Sequence, residues 1–265
     1  METTSRASIS RRTFFANAAA LGAAVACSLA LAKAGRRLRI CVLGASGTVG
    51  NGIMRELLDG GHQVIAVSRS PAKLAHITMQ YGSRNVETLV GDVASDASGA
   101  ALRDALTAQF GKPDGVVAAL SSPAVDKPAP VLGSPTTLLR QTFDTNFYPH
   151  VVAAKALIPR LGPGAVYLGI NGGLPDLVLP GMANLTMTQS ALRSLYLALE
   201  QEARQSKVFV RLLGIFGLVA TRERPARDAD HYISDRDVGR RAVDILLEPA
   251  QLPGPILAIR ARAFR

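Results

Sequence analysis

The stretch Leu38-Arg39-Ile40-Cys41-Val42-Leu43-Gly44-Ala45-Ser46-Gly47-Thr48-Val49-Gly50 decides the fold. An apolar run of strand length passes into three glycines spaced three residues apart, and Ile53-Met54-Arg55-Glu56-Leu57-Leu58 follows as a helix. A chain that leaves a buried strand and turns into a helix presents amides with no internal partners, and those amides and the helix dipole form an anion site. Gly44 permits the tight turn, Gly47 lets the backbone approach a pyrophosphate with no Cβ in the way, and Gly50 lets the helix pack close on the strand. Ser46 and Thr48 add hydroxyl donors, so Gly44, Ser46, Gly47, Thr48, Val49 and Gly50 are expected to bind a dinucleotide phosphate.

The end of the next apolar run tests which dinucleotide. Val64-Ile65-Ala66-Val67 leads into Ser68-Arg69-Ser70, with no carboxylate to accept from a ribose 2′-hydroxyl. Arg69 offers a planar fork of donors to a 2′-phosphate and Ser68 or Ser70 a hydroxyl, which predicts NADP(H) over NAD(H).

Apolar runs rich in Val, Ile and Leu recur at 38–43, 63–67, 86–90, 115–120, 164–170, 207–213 and 255–260, separated mostly by segments of helix length. Strands that read as continuously apolar are covered on both faces. The pattern predicts a single doubly wound α/β domain with about seven parallel strands over residues 33–265. The longest helical segments are 135–160 and 183–205, expected side by side on one face. Residues 222–230, Arg-Glu-Arg-Pro-Ala-Arg-Asp-Ala-Asp, read as a charged, solvated loop, with a substrate lid as the alternative.

The chain has 265 residues and a formal charge of +10, but its basic residues form no Lys/Arg block and are not interleaved with aromatics, which argues against nucleic acid. The first 32 residues differ in composition. Ser10-Arg11-Arg12-Thr13-Phe14-Phe15 precedes a moderately apolar, Ala-rich run that ends in Ala30-Leu31-Ala32, the pattern of a twin-arginine export signal and its cleavage site. A periplasmic protein is expected, with an uncleaved membrane anchor as the alternative. Removal of residues 1–32 would leave Cys41 as the one cysteine, so no intramolecular disulfide and no cysteine metal site is expected.

Over residues 38–260 the chain resembles the short-chain dehydrogenase/reductase family. Gly44 to Gly50 looks like the glycine pattern of its atypical branch. Gly91-Asp92-Val93 looks like the strand-end segment whose Asp contacts adenine, so the resemblance implies cofactor contacts at Asp92 and Val93. It also places the family's structural and catalytic Asn at Asn146, and its segment against the nicotinamide at Gly217 and Thr221, with Phe216 replacing the usual Pro.

The family's proton-transferring Tyr, its Lys four residues later and its substrate-orienting Ser align with Leu185, Gln189 and Gly172. A positioned general acid is worth about 10² to 10⁴ in rate, and neither Leu nor Gln supplies a proton at neutral pH. Stand-ins for the donor are Tyr148, Tyr167, Tyr196, His150, or a water held by Asn146 and Asn171. Of these, Tyr148 and Tyr196 read foremost as helix-packing aromatics and His150 as a surface helix residue. Two functions stay open. One is an NADP(H)-dependent oxidoreductase acting on a small carbonyl or alcohol with a non-standard proton donor; the other is a catalytically silent NADP(H)-binding sensor or interaction protein. Expected partners are the dinucleotide and an unidentified small molecule, with membrane contact only through the export segment; a homo-oligomer is left open.

Overall fold

The computed structural model describes residues 37–121 and 127–265, so the export signal and cleavage site expected over residues 1–32 lie outside the described residues. Among the described residues nine strands follow in chain order: β1 (Arg39–Leu43), β2 (Gln63–Ser68), β3 (Val86–Val90), β4 (Gly115–Ala118), β5 (Val166–Gly172), β6 (Phe209–Phe216), β7 (Leu218–Ala220), β8 (Tyr232–Ser234) and β9 (Ile256–Arg260). Seven of them form one parallel sheet in the order β3-β2-β1-β4-β5-β6-β9. These seven are the predicted apolar runs. The short pair β7 and β8 forms a separate parallel ladder, and three-residue strands carry too little periodicity to be read from sequence.

The helices are α1 (Thr48–Asp59), α2 (Pro71–Tyr81), α3 (Asp96–Phe110), α4 (Thr136–Asn146), α5 (Tyr148–Leu157), α6 (Ala183–Ala203) and α7 (Asp235–Leu247). One sheet face is buried by Leu102 and Leu106 of α3, Ala153 and Leu157 of α5, and Leu192 and Tyr196 of α6. The other face is buried by Ile53, Met54 and Leu57 of α1, Leu74 and Ile77 of α2, and Val238 and Ile245 of α7. Helices α1 and α7 approach closely because Gly52 and Gly239 each face the other helix's backbone. A Cβ on Gly52 would stand 2.6 Å from the Asp235 carbonyl oxygen, and one on Gly239 would stand 2.6 Å from that of Gly52.

The single helix expected over 135–160 is two helices that meet at Phe147. Pro149 has no N–H to give the carbonyl of residue 145 and its ring crowds that carbonyl, so the helix breaks two residues before it. The break places Asn146 at the end of α4.

His150 is fully buried rather than on a helix surface. Its Nε2 lies 3.1 Å from the Leu120 carbonyl oxygen, which can only accept, so Nε2 carries the proton and Nδ1 accepts from the Tyr196 hydroxyl at 3.0 Å. Burial pushes the imidazole pKa down from 6.5 to about 4. As pH falls through this window the unfolded chain takes up the proton first, so stability should fall between pH 6.5 and 4 by on the order of 3 kcal/mol from this group. Urea midpoints at pH 7 and 4.5 check it: His150→Gln should be less stable than wild type at pH 7 and should show a shallower loss on acidification.

Candidate functional site

A cleft of about 870 Å³ runs along the carboxyl ends of the strands, where the strand order reverses between β1 and β4. That reversal is where open α/β sheets bind ligands. Gly44 follows β1 at φ +75°, and a Cβ there would lie 2.2 Å from the Ala119 carbonyl oxygen. A Cβ on Gly50 would lie 2.2 Å from the Gly44 carbonyl oxygen. Both glycines are therefore required for the turn to close on itself. Gly47 differs: it is extended at φ −82°, and a Cβ there would meet only the Gly44 carbonyl oxygen, at 3.3 Å. Its free side lines the cleft with Ser46, Thr48, Val49 and Gly50. No acidic residue occupies the first turn of α1, so nothing in that turn repels an anion from its amides.

The end of β2 supplies positive charge. Ser68 Oγ lies 3.4 Å from Ser46 Oγ and accepts from the Ser70 N–H, while Ser70 Oγ caps α2 by accepting from the Lys73 N–H at 3.3 Å. Arg69 and Lys73 both line the cleft, and neither forms an ion pair with a described residue. Lys73 is not among the residues singled out from sequence; its signal is its place four residues after Arg69, just inside the helix that Ser70 caps. Asp92 and Val93 follow β3 into the same cleft, and one Asp92 carboxylate oxygen accepts from the Val93 N–H at 2.9 Å.

The residues present fit a dinucleotide: the turn leaves its position-47 side open to the cleft, and two cations stand beside the neighbouring strand end. Gly217 also lines the cleft, at φ +152°, but Thr221 does not. The Thr221 N–H donates to the Arg224 carbonyl and its hydroxyl accepts from the Arg224 N–H, which closes a turn at the start of the charged loop. The loop is exposed, as expected, yet Arg224 crosses to the glycine turn and donates to the Thr48 hydroxyl at 2.5 Å. The loop's far end is held by Asp228, whose carboxylate accepts from the backbone N–H groups of Asp230 and His231.

At the other end of the cleft stand Asn146, Ile170, Asn171, Gly172, Leu185, Thr188, Gln189 and Ile215. The replacements at 172 and 189 are mutually adapted. A Cβ on Gly172 would lie 2.4 Å from Gln189 Oε1, and that oxygen accepts from the Leu174 N–H at 3.1 Å. The Gln189 side chain thus fills the volume a serine at 172 would need. Asn171 donates through Nδ2 to the Gln189 carbonyl, while its Oδ1 is buried without a partner. Of the stand-in proton donors only Asn146 and Asn171 reach the cleft. Tyr167, Tyr196 and His150 are fully buried in the core, and Tyr148, read as a packing aromatic, is 51% exposed. Burial also pushes the Tyr167 and Tyr196 hydroxyls up, away from acid chemistry near neutrality.

Phe216 stands as a wedge. A Cβ on Gly173 would lie 2.6 Å from its ring, and the Arg260 guanidinium sits 3.6 Å from the ring centroid. Asn184 is buried and ties the start of α6 to the segment after β4: its Oδ1 accepts from the Ala129 N–H at 2.9 Å and its Nδ2 donates to the Lys127 carbonyl at 3.0 Å.

A family model described as short chain dehydrogenase matches residues 39–229. Among solved structures, a blue fluorescent protein from a metagenomic library in complex with NADPH superposes with a TM-score of 0.72 at 17% identity, covering 85% of this chain and 97% of that one. A short chain dehydrogenase from Burkholderia cenocepacia in complex with NADP gives 0.71 at 19% identity, covering 84% and 96%. A short-chain dehydrogenase/reductase from Serratia marcescens gives 0.73 at 17%, covering 85% and 96%. Among curated proteins there is no significant sequence match.

Proposed function

Because this chain belongs to the short chain dehydrogenase family, we propose that it binds NADP(H) along the cleft and acts as an oxidoreductase. The observation that carries this reading is the glycine turn opening onto Arg69 and Lys73. NADPH or NADP in two similar structures supports the cofactor's identity. Gly44, Gly47 and Gly50 shape the pyrophosphate path, Arg69 with Ser68 and Lys73 takes the 2′-phosphate, and Asp92 and Val93 face the adenine. Gly217 lies at the nicotinamide end, where the bound cofactor supplies a hydride. Asn146 and Asn171 hold the polar side of that end.

Arg224 reaches the first residue of α1, where a pyrophosphate would lie, and we assign it a contact to that group. Two variants separate the cofactor contacts. A charge-assisted hydrogen bond contributes roughly 1.5–3 kcal/mol, or about ten- to a hundredfold in affinity. Arg69→Ala should lose that factor for NADP(H) and keep NAD(H) binding. Arg224→Ala should weaken both cofactors alike, since the pyrophosphate is common to them. Calorimetric titration reads both; equal losses in Arg69→Ala would remove the 2′-phosphate role, and unchanged affinities in Arg224→Ala would remove the pyrophosphate contact.

The replacements at Gly172, Leu185 and Gln189 favour a second reading, a silent NADP(H)-binding protein, and NADPH consumption with added acceptors separates the two. Export belongs to the same proposal and rests on the Ser10-Arg11-Arg12-Thr13-Phe14-Phe15 pattern. The twin-arginine route carries folded proteins, so the cofactor would be loaded before export and held tightly.

A further inference from the structure

We propose that the hydride acceptor is an apolar quinone. The inference rests on the NADP(H) oxidoreductase reading and adds the class of substrate to it. Two independent observations carry it. First, among the described residues the cleft retains the cofactor path, but no tyrosine, histidine or lysine lines its far end. An isolated aldehyde or ketone that takes a hydride becomes a localised alkoxide and needs a proton in the same step; here Leu185, Gly172 and Gln189 occupy the positions of the donor and its helpers, and every tyrosine and histidine among the stand-ins lies outside the cleft lining. The titratable side chains among the described lining residues are Arg69, Lys73, Asp92 and Asp144. The first three follow β2 and β3, and β2 is three strands from β5, about 14 Å across the sheet. Asp144 is exposed on α4.

A quinone escapes the requirement. When a hydride with its electron pair reaches it, the quinone is reduced to a hydroquinone monoanion whose charge spreads over the ring, the nicotinamide is oxidised, and the proton follows from solvent. No group of the protein has to give it.

Second, the segments that adjoin this end in the chain expose large apolar side chains. The segment 127–134 is tied to the start of α6 by the two Asn184–Ala129 hydrogen bonds, and the segment 174–182, turned by the Met182 N–H on the Leu179 carbonyl, runs into the same helix end. On these segments and the adjoining turn of α6, Leu132 is 89% and Val178 81% exposed, with Val131, Leu179 and Met187 also open to solvent. Large apolar side chains left in the open on adjoining segments mark a surface that an apolar partner covers. The same turn of α6 carries Leu185 into the cleft, so an alkylated quinone ring entering there would leave its chain on this rim.

The test uses the full-length protein with NADPH and three acceptors: an alkylated 1,4-naphthoquinone, benzaldehyde and cyclohexanone. The quinone should exceed the other two in kcat/KM by at least about a hundredfold, the low end of what a general acid contributes. Its rate should be unchanged in D₂O, because no proton moves with the hydride. Equilibrium dialysis of the naphthoquinone against protein with NADP⁺ gives a readout apart from turnover: Leu179→Asp with Met187→Asp should weaken quinone binding by roughly tenfold and leave NADPH affinity as it was. Benzaldehyde turnover matching that of the quinone, slowing in D₂O, loss of quinone turnover in Asp144→Asn, or NADPH binding without quinone binding would each overturn this proposal alone. Absence of NADPH binding would overturn it together with the reading on which it rests.

Discussion

The triple variant Gly172→Ser, Leu185→Tyr, Gln189→Lys is expected to reduce benzaldehyde with NADPH at least about a hundredfold faster than wild type, within the range a positioned general acid supplies. The three positions must change together because they are coupled in space. A serine at 172 alone would drive its Cβ to 2.4 Å from Gln189 Oε1, which is itself held by the Leu174 N–H. A lysine at 189 alone removes that acceptor and has no phenol to act on. A tyrosine at 185 alone keeps a pKa near its unperturbed value of about 10. Residues 185 and 189 are four apart on α6 and share a face, so a lysine there stabilises the phenolate and brings the tyrosine's pKa down. The double change at 185 and 189 that leaves Gly172 in place should gain less, about tenfold, since the substrate is not oriented. Steady-state rates with benzaldehyde check the series. A triple variant that binds NADPH but reduces the aldehyde no faster than wild type would show that Leu185 does not stand beside the nicotinamide.

Gly47→Val should lose at least about a hundredfold in affinity for both NADPH and NADH while the folded chain persists. A Cβ at position 47 meets only the Gly44 carbonyl oxygen inside the protein, and its free side lies in the cleft. Displacing a pyrophosphate from the α1 amides forfeits two or more charge-assisted hydrogen bonds of roughly 1.5–3 kcal/mol each. Gly44→Ala is a different lesion. There the Cβ strikes the Ala119 backbone at 2.2 Å and the residue must hold φ +75°, so the turn itself gives way. Titrating both cofactors and comparing melting temperatures distinguishes the two: Gly47→Val should melt close to wild type and Gly44→Ala several degrees lower.

The seven sheet strands were legible because a strand covered on both faces is apolar along its whole length, as in Ile40-Cys41-Val42-Leu43. The glycine turn was legible because a chain that closes on its own backbone needs residues without a Cβ, which glycine spacing records directly. What sequence could not show depends on contacts between distant residues. The Gly172 and Gln189 fit joins β5 to α6 through space, and the Arg224 contact to Thr48 spans most of the chain. His150 resembles a surface helix residue in sequence because its two partners, Leu120 and Tyr196, come from other elements. The break before Pro149 does carry a local signal, a proline inside a helical pattern, which the apolar periodicity on either side masks. Thr221 followed from family spacing alone, and the turn it makes with Arg224 takes it out of the cleft.

Calorimetric titration of the wild-type protein with NADPH and with NADH tests the cofactor assignment most directly. The account predicts saturable binding of one NADPH per chain, at least about tenfold tighter than NADH, the low end of what a charged contact to the 2′-phosphate contributes. No binding of either dinucleotide, or tighter binding of NADH, would contradict it.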